Sequence, residues 1–430
     1  MEHVLRTVVK GLVLGFLLSY GAVSYAGERQ APAREGLGWR LGVQAYTFKE
    51  FTFFEAVDKT ASMDLKYIET YPGQRVSKDI NADMHHNMDS ATCEKIKQKL
   101  DSAGVKLVNY GVVTGGDQAD WRRIFEFARL MGVETIVSEP DADQMDLVET
   151  LCKEFEINLA IHNHPKPTKY WDPEKVLEAV KGRSERIGAC ADTGHWVRSG
   201  LNPLECLKKL EGRIISLHLK DLSANAADAH DLPWGTGVCN VFGMLEELKR
   251  QGFKGVFSVE YEYNWMDSVP EIGKCIDYFD LVSTALVGEG YKGLFEKDLS
   301  NAILDKGGWA FEEGVLAAKG KGDIWSKDRY GDFILDLEFK CEPKTNSGVF
   351  LRCNSIENWL HTAIEVQILQ PVMDNDKYNC GAIYDCLAPS KPTIKAPGEW
   401  NRYTIIARAN KIYVMLNSEQ VIDVDLDEWT

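Results

Sequence analysis

The segment ACADTGHW, residues 189–196, runs from small and apolar residues into Asp192, a turn and then His195. Its first half reads as a buried strand. Its second half sets a carboxylate and an imidazole at the strand's end, where both are costly to leave unpaired in an apolar interior. Such an ending makes sense if other strands end the same way and their ends converge.

Working outward, one pattern repeats from Arg40 to about Ala285: a short apolar strand, a polar turn, then an amphipathic helix. The predicted strands are RLGVQAY (40–46), KYIETY (66–71), VKLVNYGVV (105–113) and VETIVSE (133–139), then INLAIHNH (157–164), RIGACAD (186–192), RIISLHLKD (213–221) and KGVFSVEYE (254–262). Stretches such as CEKIKQKLDSAG and FGMLEELKRQG lie between them and close on glycine, as helix ends prefer. Eight strand–helix units of this size predict a (β/α)8 TIM barrel. A doubly wound open sheet is the alternative, and the lack of a glycine-rich phosphate fingerprint after the first strand weighs against it.

In a barrel the chemistry sits at the C-terminal ends of the strands. Those ends carry Glu139, His162 and His164, Asp192 and His195, His218 and Lys220, and Glu260 and Glu262. Period-two alternation puts His162 with His164, His218 with Lys220 and Glu260 with Glu262 on shared strand faces. One such residue alone is an ordinary loop contact or ion pair; five consecutive strand ends bearing them form a site. Carboxylates meeting in one funnel repel each other unless a cation compensates them. Asp192 is therefore expected to face a metal, with His195 above it facing substrate.

The chain has 430 residues, a formal net charge of −16, 44% hydrophobic and 27% charged residues. That describes a soluble globular chain of two or three domains. Its acidic field disfavours a nucleic-acid partner. At the N-terminus, Arg6 and Lys10 precede GLVLGFLLSYGAV (11–23) and the small-x-small site Ser24-Tyr25-Ala26. This order predicts a signal peptide over residues 1–26, cleaved after Ala26, and an exported, periplasmic or secreted protein. The apolar run is short for a bilayer span of about 20 residues, so no stable membrane insertion is expected after cleavage. The ten cysteines contain no CxxC pair, and most are expected as buried thiols; Cys380 and Cys386 are spaced to permit a bridge.

Beyond Ala285 alternating runs replace the helices: GDFILDLEFKC, SGVFLRC, TAIEVQIL, YTIIARA, KIYVMLN and QVIDVDL. Turns of Gly, Asn and Pro separate them, which predicts an all-β sandwich, with the boundary in a loop at residues 287–290.

The ordered combination LAIHNHP, ADTGHW, SLHLKDL and VEYEY, with PWGTG after the seventh strand, resembles the sugar phosphate isomerase/epimerase family of xylose isomerase-like barrels over residues 37–285. The resemblance implies a divalent ion held by Glu139, Asp192, His218 and Glu260, with a substrate contact from His195; His162 and Glu262 at the strand ends are further substrate-binding candidates. Three carboxylates and one imidazole form an oxygen-rich shell that favours Mn, Mg or Co over structural zinc. Endonuclease IV shares the fold and has an Asp-x-His after its seventh strand, which Asp228-Ala-His230 imitates; a DNA-directed role does not suit an exported acidic protein. Residues 290–430 resemble the 3-keto-disaccharide hydrolase domain, a lectin-like sandwich, through WAFEEGVLAAKGKGDIWS, YGDFILDLEFK, NSGVFLR, IEVQIL, GAIYDCLAPSK and PGEWNRYTI. Its polar candidates for substrate are Arg352, Glu365 and Gln367. The family usually continues beyond a segment like VIDVDL, so an incomplete sandwich is expected at Thr430.

Together these features predict a metal-dependent enzyme acting on keto sugars or 3-ketoglycosides through an enediolate. Glu139 and Glu260 would pass a proton, giving isomerisation or epimerisation. Lys220 or His164 would protonate a leaving oxygen in β-elimination. The substrate expected is a small sugar or oligosaccharide, and the competing class is a non-catalytic carbohydrate-binding protein.

Overall fold

The computed structural model describes residues 6–8, 32–288, 291–304, 308–312, 314–320, 322–370 and 372–428. It divides into a unit of residues 31–287 and a unit of residues 288–430 that includes 1–30.

The first unit is a closed barrel of eight parallel strands. In chain order they are β1 (Arg40–Gln44), β2 (Tyr67–Thr70), β3 (Lys106–Tyr110), β4 (Thr135–Ser138), β5 (Asn158–His162), β6 (Ile187–Asp192), β7 (Ile214–Leu219) and β8 (Val256–Val259). Each pairs with its sequence neighbour, and β8 closes on β1. Strands covered on both faces need unbroken apolar runs, and β4 and β6 are buried at every position.

The helices start where their sequence says they should. Thr52 and Glu55 form a capping box, and Asp89 and Asp117 cap the helices Ser90–Ala103 and Gln118–Met131. The latter two end on Gly104 and Gly132 in the left-handed region. Strand register aligns the polar ends: Asp192, His218 and Ser258 stand opposite one another across β6, β7 and β8, and His162 stands opposite Cys190. Three strand ends therefore present their side chains on one level.

The second unit is antiparallel throughout. Its seven-stranded sheet runs in the order Trp309–Glu312, Val315–Ala318, Arg6–Val8, Phe333–Lys340, Trp400–Arg408, Lys411–Leu416 and Glu419–Asp425. A second layer pairs Asn346–Leu351 with Ile364–Leu369, and a further pair joins Ala302–Leu304 to Ile324–Ser326. Alternation builds the interior: Leu337, Phe339, Ile405 and Val414 of the large sheet meet Val366 and Ile368 of the second layer in one core.

Most of the segment read as a signal peptide lies outside the described residues. Within it, Arg6–Val8 pairs with Val315–Ala318 on one side and Phe333–Lys340 on the other. All ten cysteines are free thiols, so Cys380 and Cys386 are not bridged; Cys380 is buried and Cys386 exposed. Among the described residues no helix is long and apolar enough to cross a membrane.

Barrel closure leaves no room at Gly188 in β6, where an added Cβ would lie 2.1 Å from the carbonyl oxygen of Arg213 on the way into β7. Gly188→Ala is expected to lower stability by about 1–3 kcal/mol in urea denaturation. Gly36→Ala, with nothing within 4 Å of the new methyl, should be close to neutral. Equal stabilities for the two variants would show that β6 and β7 pack more loosely than this.

Candidate active site and metal centre

Asp192 ends β6 and caps the short helix Thr193–Arg198, its Oδ1 accepting the backbone N–H of His195 at 2.7 Å. Capping uses one carboxylate oxygen and leaves Oδ2 for the barrel mouth. Asn163 braces the same corner, since its Nδ2 donates to Asp192 O and its Oδ1 accepts from Asp192 N, both at 2.9 Å. Gly194 in the turn has a steric reason to be glycine: a Cβ there would meet the Lys220 side chain at 2.8 Å.

Three buried atoms in this mouth lack a hydrogen-bond partner among the described residues: His162 Nε2, Asp192 Oδ2 and His218 Nδ1. Buried polar atoms are rarely left so. His162 Nε2 is 3.6 Å from Asp192 Oδ2, and His218 Nδ1 is 3.1 Å from Glu260 Oε2. One ligand atom from each of His162, Asp192, His218 and Glu260 lies within 4.8 Å of all the others, and all four residues are buried. Two imidazoles and two carboxylates at that spacing fit a divalent ion.

Each histidine also has a carboxylate behind it. His218 Nε2 pairs with Glu69 Oε1 at 2.9 Å, and His162 Nδ1 lies 3.3 Å from Glu139 Oε1. This is the outer-shell pattern that fixes the tautomer of a metal-bound imidazole. Glu69 is fully buried at the end of β2 and also accepts from Gln44 Nε2 at 3.0 Å, Asn109 Nδ2 at 3.2 Å and Ser258 Oγ at 2.8 Å. Four donors on one carboxylate hold it rigidly.

Glu139 stands one residue past β4 and belongs to a neighbouring group with His162 and His164. Its Oε1 is 2.5 Å from His164 Nδ1. Burial opposes its charge, but the two imidazoles outweigh burial and hold the carboxyl well below the usual range. The four-residue group thus has His162 in the place that the family resemblance gives to Glu139.

Lys220, 1% exposed, is the centre of charge. Its Nζ lies 2.9 Å from Asp192 Oδ2, 2.8 Å from Glu260 Oε2 and 2.9 Å from Glu262 Oε2. The contact with Asp192 is an ion pair without hydrogen-bond alignment, which is why Oδ2 still has an open lone pair. Burial disfavours the ammonium, yet the three carboxylates win and keep it charged. Arg198 adds a second cation, donating to Glu262 Oε2 at 2.6 Å and to Asp231 Oδ2 at 2.8 Å. Burial pushes the Asp231 carboxyl up to about 7 against the pull of Lys220 and Arg198. Burial also drives His195 well below its usual value, so it sits neutral beside the cations, its ring stacked on His164 at 5.4 Å.

Other expected residues fall elsewhere. His230 contacts Ser223 Oγ and the Tyr263 ring and is outside the cluster. Asp221 of the HLKD stretch accepts the N–H groups of Gly235, Gly237 and Cys239 at 2.9–3.0 Å and so pins the PWGTG loop. Arg352 and Glu365 line a cavity in the sandwich, while Gln367 is 1% exposed and absent from that lining. Sequence reading missed Glu69, Gln44, Asn109, Arg198 and Asp231. A carboxylate near the end of the predicted strand KYIETY was the available signal for Glu69.

Residues 57–280 match the xylose isomerase-like TIM barrel family. The chain belongs to that family. Residues 290–430 match the 3-keto-alpha-glucoside-1,2-lyase-like domain. The barrel family member aligns with an uncharacterised protein of Methanocaldococcus jannaschii, MJ1311, at 32% identity over 144 residues, 32% of this chain and 47% of the relative. It aligns with the rhizopine catabolism protein MocC of Rhizobium meliloti at 30% over 132 residues, 27% of this chain and 40% of the relative. The chain therefore spans less than half the length of these curated relatives. A crystal structure of an uncharacterised protein from Parabacteroides distasonis is 33% identical, with a TM-score of 0.48, covering 56% of this chain and 98% of that one.

If Glu69 holds His218 toward an ion, Glu69→Gln should weaken binding of Mn2+ to the EDTA-stripped protein by about 10–100-fold in calorimetry. An unchanged affinity would mean that His218 does not reach the ion.

Proposed function

We propose that the barrel is a metal-dependent carbohydrate enzyme acting on keto sugars or 3-ketoglycosides by moving the proton beside a carbonyl. The observation that carries this reading is the convergence of His162 Nε2, Asp192 Oδ2 and His218 Nδ1, each without a hydrogen-bond partner, beside Glu260 in a buried mouth. His162, Asp192, His218 and Glu260 would hold the ion, with Glu139 fixing His162 from behind or joining as a further ligand. When bound, a divalent ion supplies polarisation of a substrate carbonyl, which acidifies the neighbouring C–H. Two imidazoles in place of one shift the preference from Mg toward Mn, Co or Zn.

The remaining groups divide the labour. Burial opposes the charge of Glu260, but Lys220 and His218 outweigh it and keep the carboxylate ionised, the form a proton acceptor must have. Glu139 and His164 form a carboxylate–imidazole pair whose histidine side chain is 44% exposed, so His164 Nε2 can exchange protons with a sugar oxygen or carbon at the mouth. Lys220 and Arg198 share Glu262, which offers a place for the ammonium when Asp192 and Glu260 turn to the ion. With the proton returned to the adjacent carbon, the outcome is isomerisation or epimerisation. With a proton given to a leaving oxygen two carbons from the ketone, the outcome is β-elimination, which the lyase-like second domain favours.

Export is part of the proposal and rests on the charged, apolar and small-residue order of residues 1–26. Cleavage would remove Arg6–Val8 from its place between two strands of the sandwich. N-terminal sequencing of the protein from its source should start at or near Gly27; an intact Met1 would refute export.

The chemistry is tested by exchange. A 3-keto-glucoside incubated with the Mn-loaded protein in D2O should gain deuterium beside the carbonyl. Glu260→Gln keeps shape and one ligand oxygen, and under saturating metal it should slow that exchange by about 10²–10⁴-fold. Tight binding of the sugar with neither exchange nor conversion would leave a carbohydrate-binding protein as the better reading.

A further inference from the structure

Asp192, His195 and Arg198 follow one another at intervals of three along ADTGHWVR, so the short helix Thr193–Arg198 carries His195 and Arg198 on one face. There the Nη1 of Arg198 lies 3.3 Å from His195 Nδ1. The rest of the guanidinium is tied to the loops after β7 and β8. Its Nε donates to the carbonyl of Ala229 at 3.2 Å and its Nη2 to Asp231 Oδ2 at 2.8 Å, while Nη1 also donates to Glu262 Oε2 at 2.6 Å. A planar fork can serve acceptors in these several directions at once, which a single ammonium cannot.

This contact decides which nitrogen of His195 carries the proton. A guanidinium has five N–H groups and no acceptor, so Nδ1 must accept from it. A proton on Nδ1, in either a neutral or a cationic ring, would set two donors against each other. The ring is therefore neutral with its proton on Nε2. Its setting is fixed on every side. The backbone N–H of His195 is held by Asp192 Oδ1 at 2.7 Å, and its carbonyl accepts from Ser199 Oγ at 2.7 Å. His164 stacks on the ring at 5.4 Å, and His162 stands edge-on to it at 5.7 Å and 87°. Nε2 is 3.6 Å from Asp192 Oδ2, too long for a hydrogen bond. A substrate oxygen brought to this corner of the four-residue group meets a donor there and no acceptor.

We propose that Arg198 is a positioning residue that locks His195 as the Nε2–H tautomer, and that His195 in this form donates a hydrogen bond to the sugar oxygen that gains negative charge when the adjacent C–H loses its proton. His195 gives up no proton in this step; the C–H proton passes to the carboxylate or imidazole groups already described. That separates His195 from His164, whose Nε2 exchanges protons. The reaction itself rests on the function proposed above, which leaves the role of His195 open, whereas the tautomer rests on Arg198 alone.

The tautomer is read without any sugar or metal, from the nitrogen NMR shifts of the full chain carrying isotope-labelled histidine and stripped with EDTA, at neutral pH. The His195 signals, assigned by their loss in His195→Gln, should show a protonated Nε2 and a bare Nδ1. A protonated Nδ1, alone or in a cationic ring, would overturn the proposal. Arg198→Met combined with Asp231→Asn removes the donor without leaving Asp231 as a lone buried carboxylate, and the Nδ1–H form should then become populated while the His218 signals stay in place. A His195 that remains wholly Nε2–H in this variant would show that Arg198 does not set it. Under saturating Mn2+, His195→Phe should slow deuterium uptake by the keto sugar by about 10²–10³-fold. His195→Gln, which keeps an N–H but cannot act as acid or base, should lose far less. Equal losses in the two variants, or none in either, would overturn the donor role. A wild-type protein that takes up no deuterium would overturn the proposed reaction and the donor role with it, while the control of the tautomer by Arg198 would still be decided by the nitrogen shifts.

Discussion

One buried ammonium lets the barrel mouth exist. Asp192, Glu260 and Glu262 bring three carboxylate oxygens to within 2.8–2.9 Å of Lys220 Nζ. Carboxylates packed this closely away from water repel each other and lose their hydration, and only an internal cation offsets both effects. Much of the surrounding sequence is explained by the placing of that cation. Gly194 leaves room for its stem. Thr193 brackets its backbone, with Oγ1 accepting from Lys220 N at 2.8 Å and donating to Lys220 O at 3.0 Å. Asp221, the next residue, ties the adjoining loop to three backbone N–H groups.

Most of the segment ACADTGHW has a physical reason in the fold. Its small residues belong to a strand buried on both sides, where Gly188 already meets the backbone of its neighbour. Asp192 ends the strand because a helix begins there and needs a cap. His195 comes one turn later, close enough for its Nε2 to stand 3.6 Å from Asp192 Oδ2. A strand end, a helix start and a site are thus made by the same few residues, a combination that the (β/α) unit makes available at its C-terminal side.

The barrel was legible because its signals are local and repeated: apolar strands, capped helices, glycine stops. The strand-end constellation was legible for the same reason, and the rings of His162 and His164, which alternation paired, lie 4.5 Å apart. Which carboxylate or imidazole enters the four-residue group was not legible. Glu139 lies one residue beyond β4 and His162 is the last residue of β5, and a difference of one residue at a strand end decides which way a side chain leaves the sheet. Glu69 and Arg198 were missed because their meaning is tertiary. Glu69 is 149 positions from the histidine it supports, and no spacing rule spans that distance. In the sandwich, alternation placed Glu365 and Gln367 on one face, but it could not show that Gln367 would be buried while Glu365 lines the cavity.

The outer carboxylates say something about how the proposed ion would be used. A histidine whose far nitrogen is held by a carboxylate is a stronger donor and a fixed one, and here both imidazoles of the group have such a partner, Glu69 behind His218 and Glu139 behind His162. The two partners differ in one respect. Glu69 is sealed, bound by four donors and without access to water, so its role is to hold. Glu139 is 18% exposed at its side chain and is shared with His164, which reaches solvent. A proton arriving at His164 therefore changes the charge next to Glu139, and through it the basicity of His162. On the proposed reading the rigid half of the site would position the ion, and the Glu139–His164 half would couple proton movement at the mouth to the strength with which the ion polarises a carbonyl.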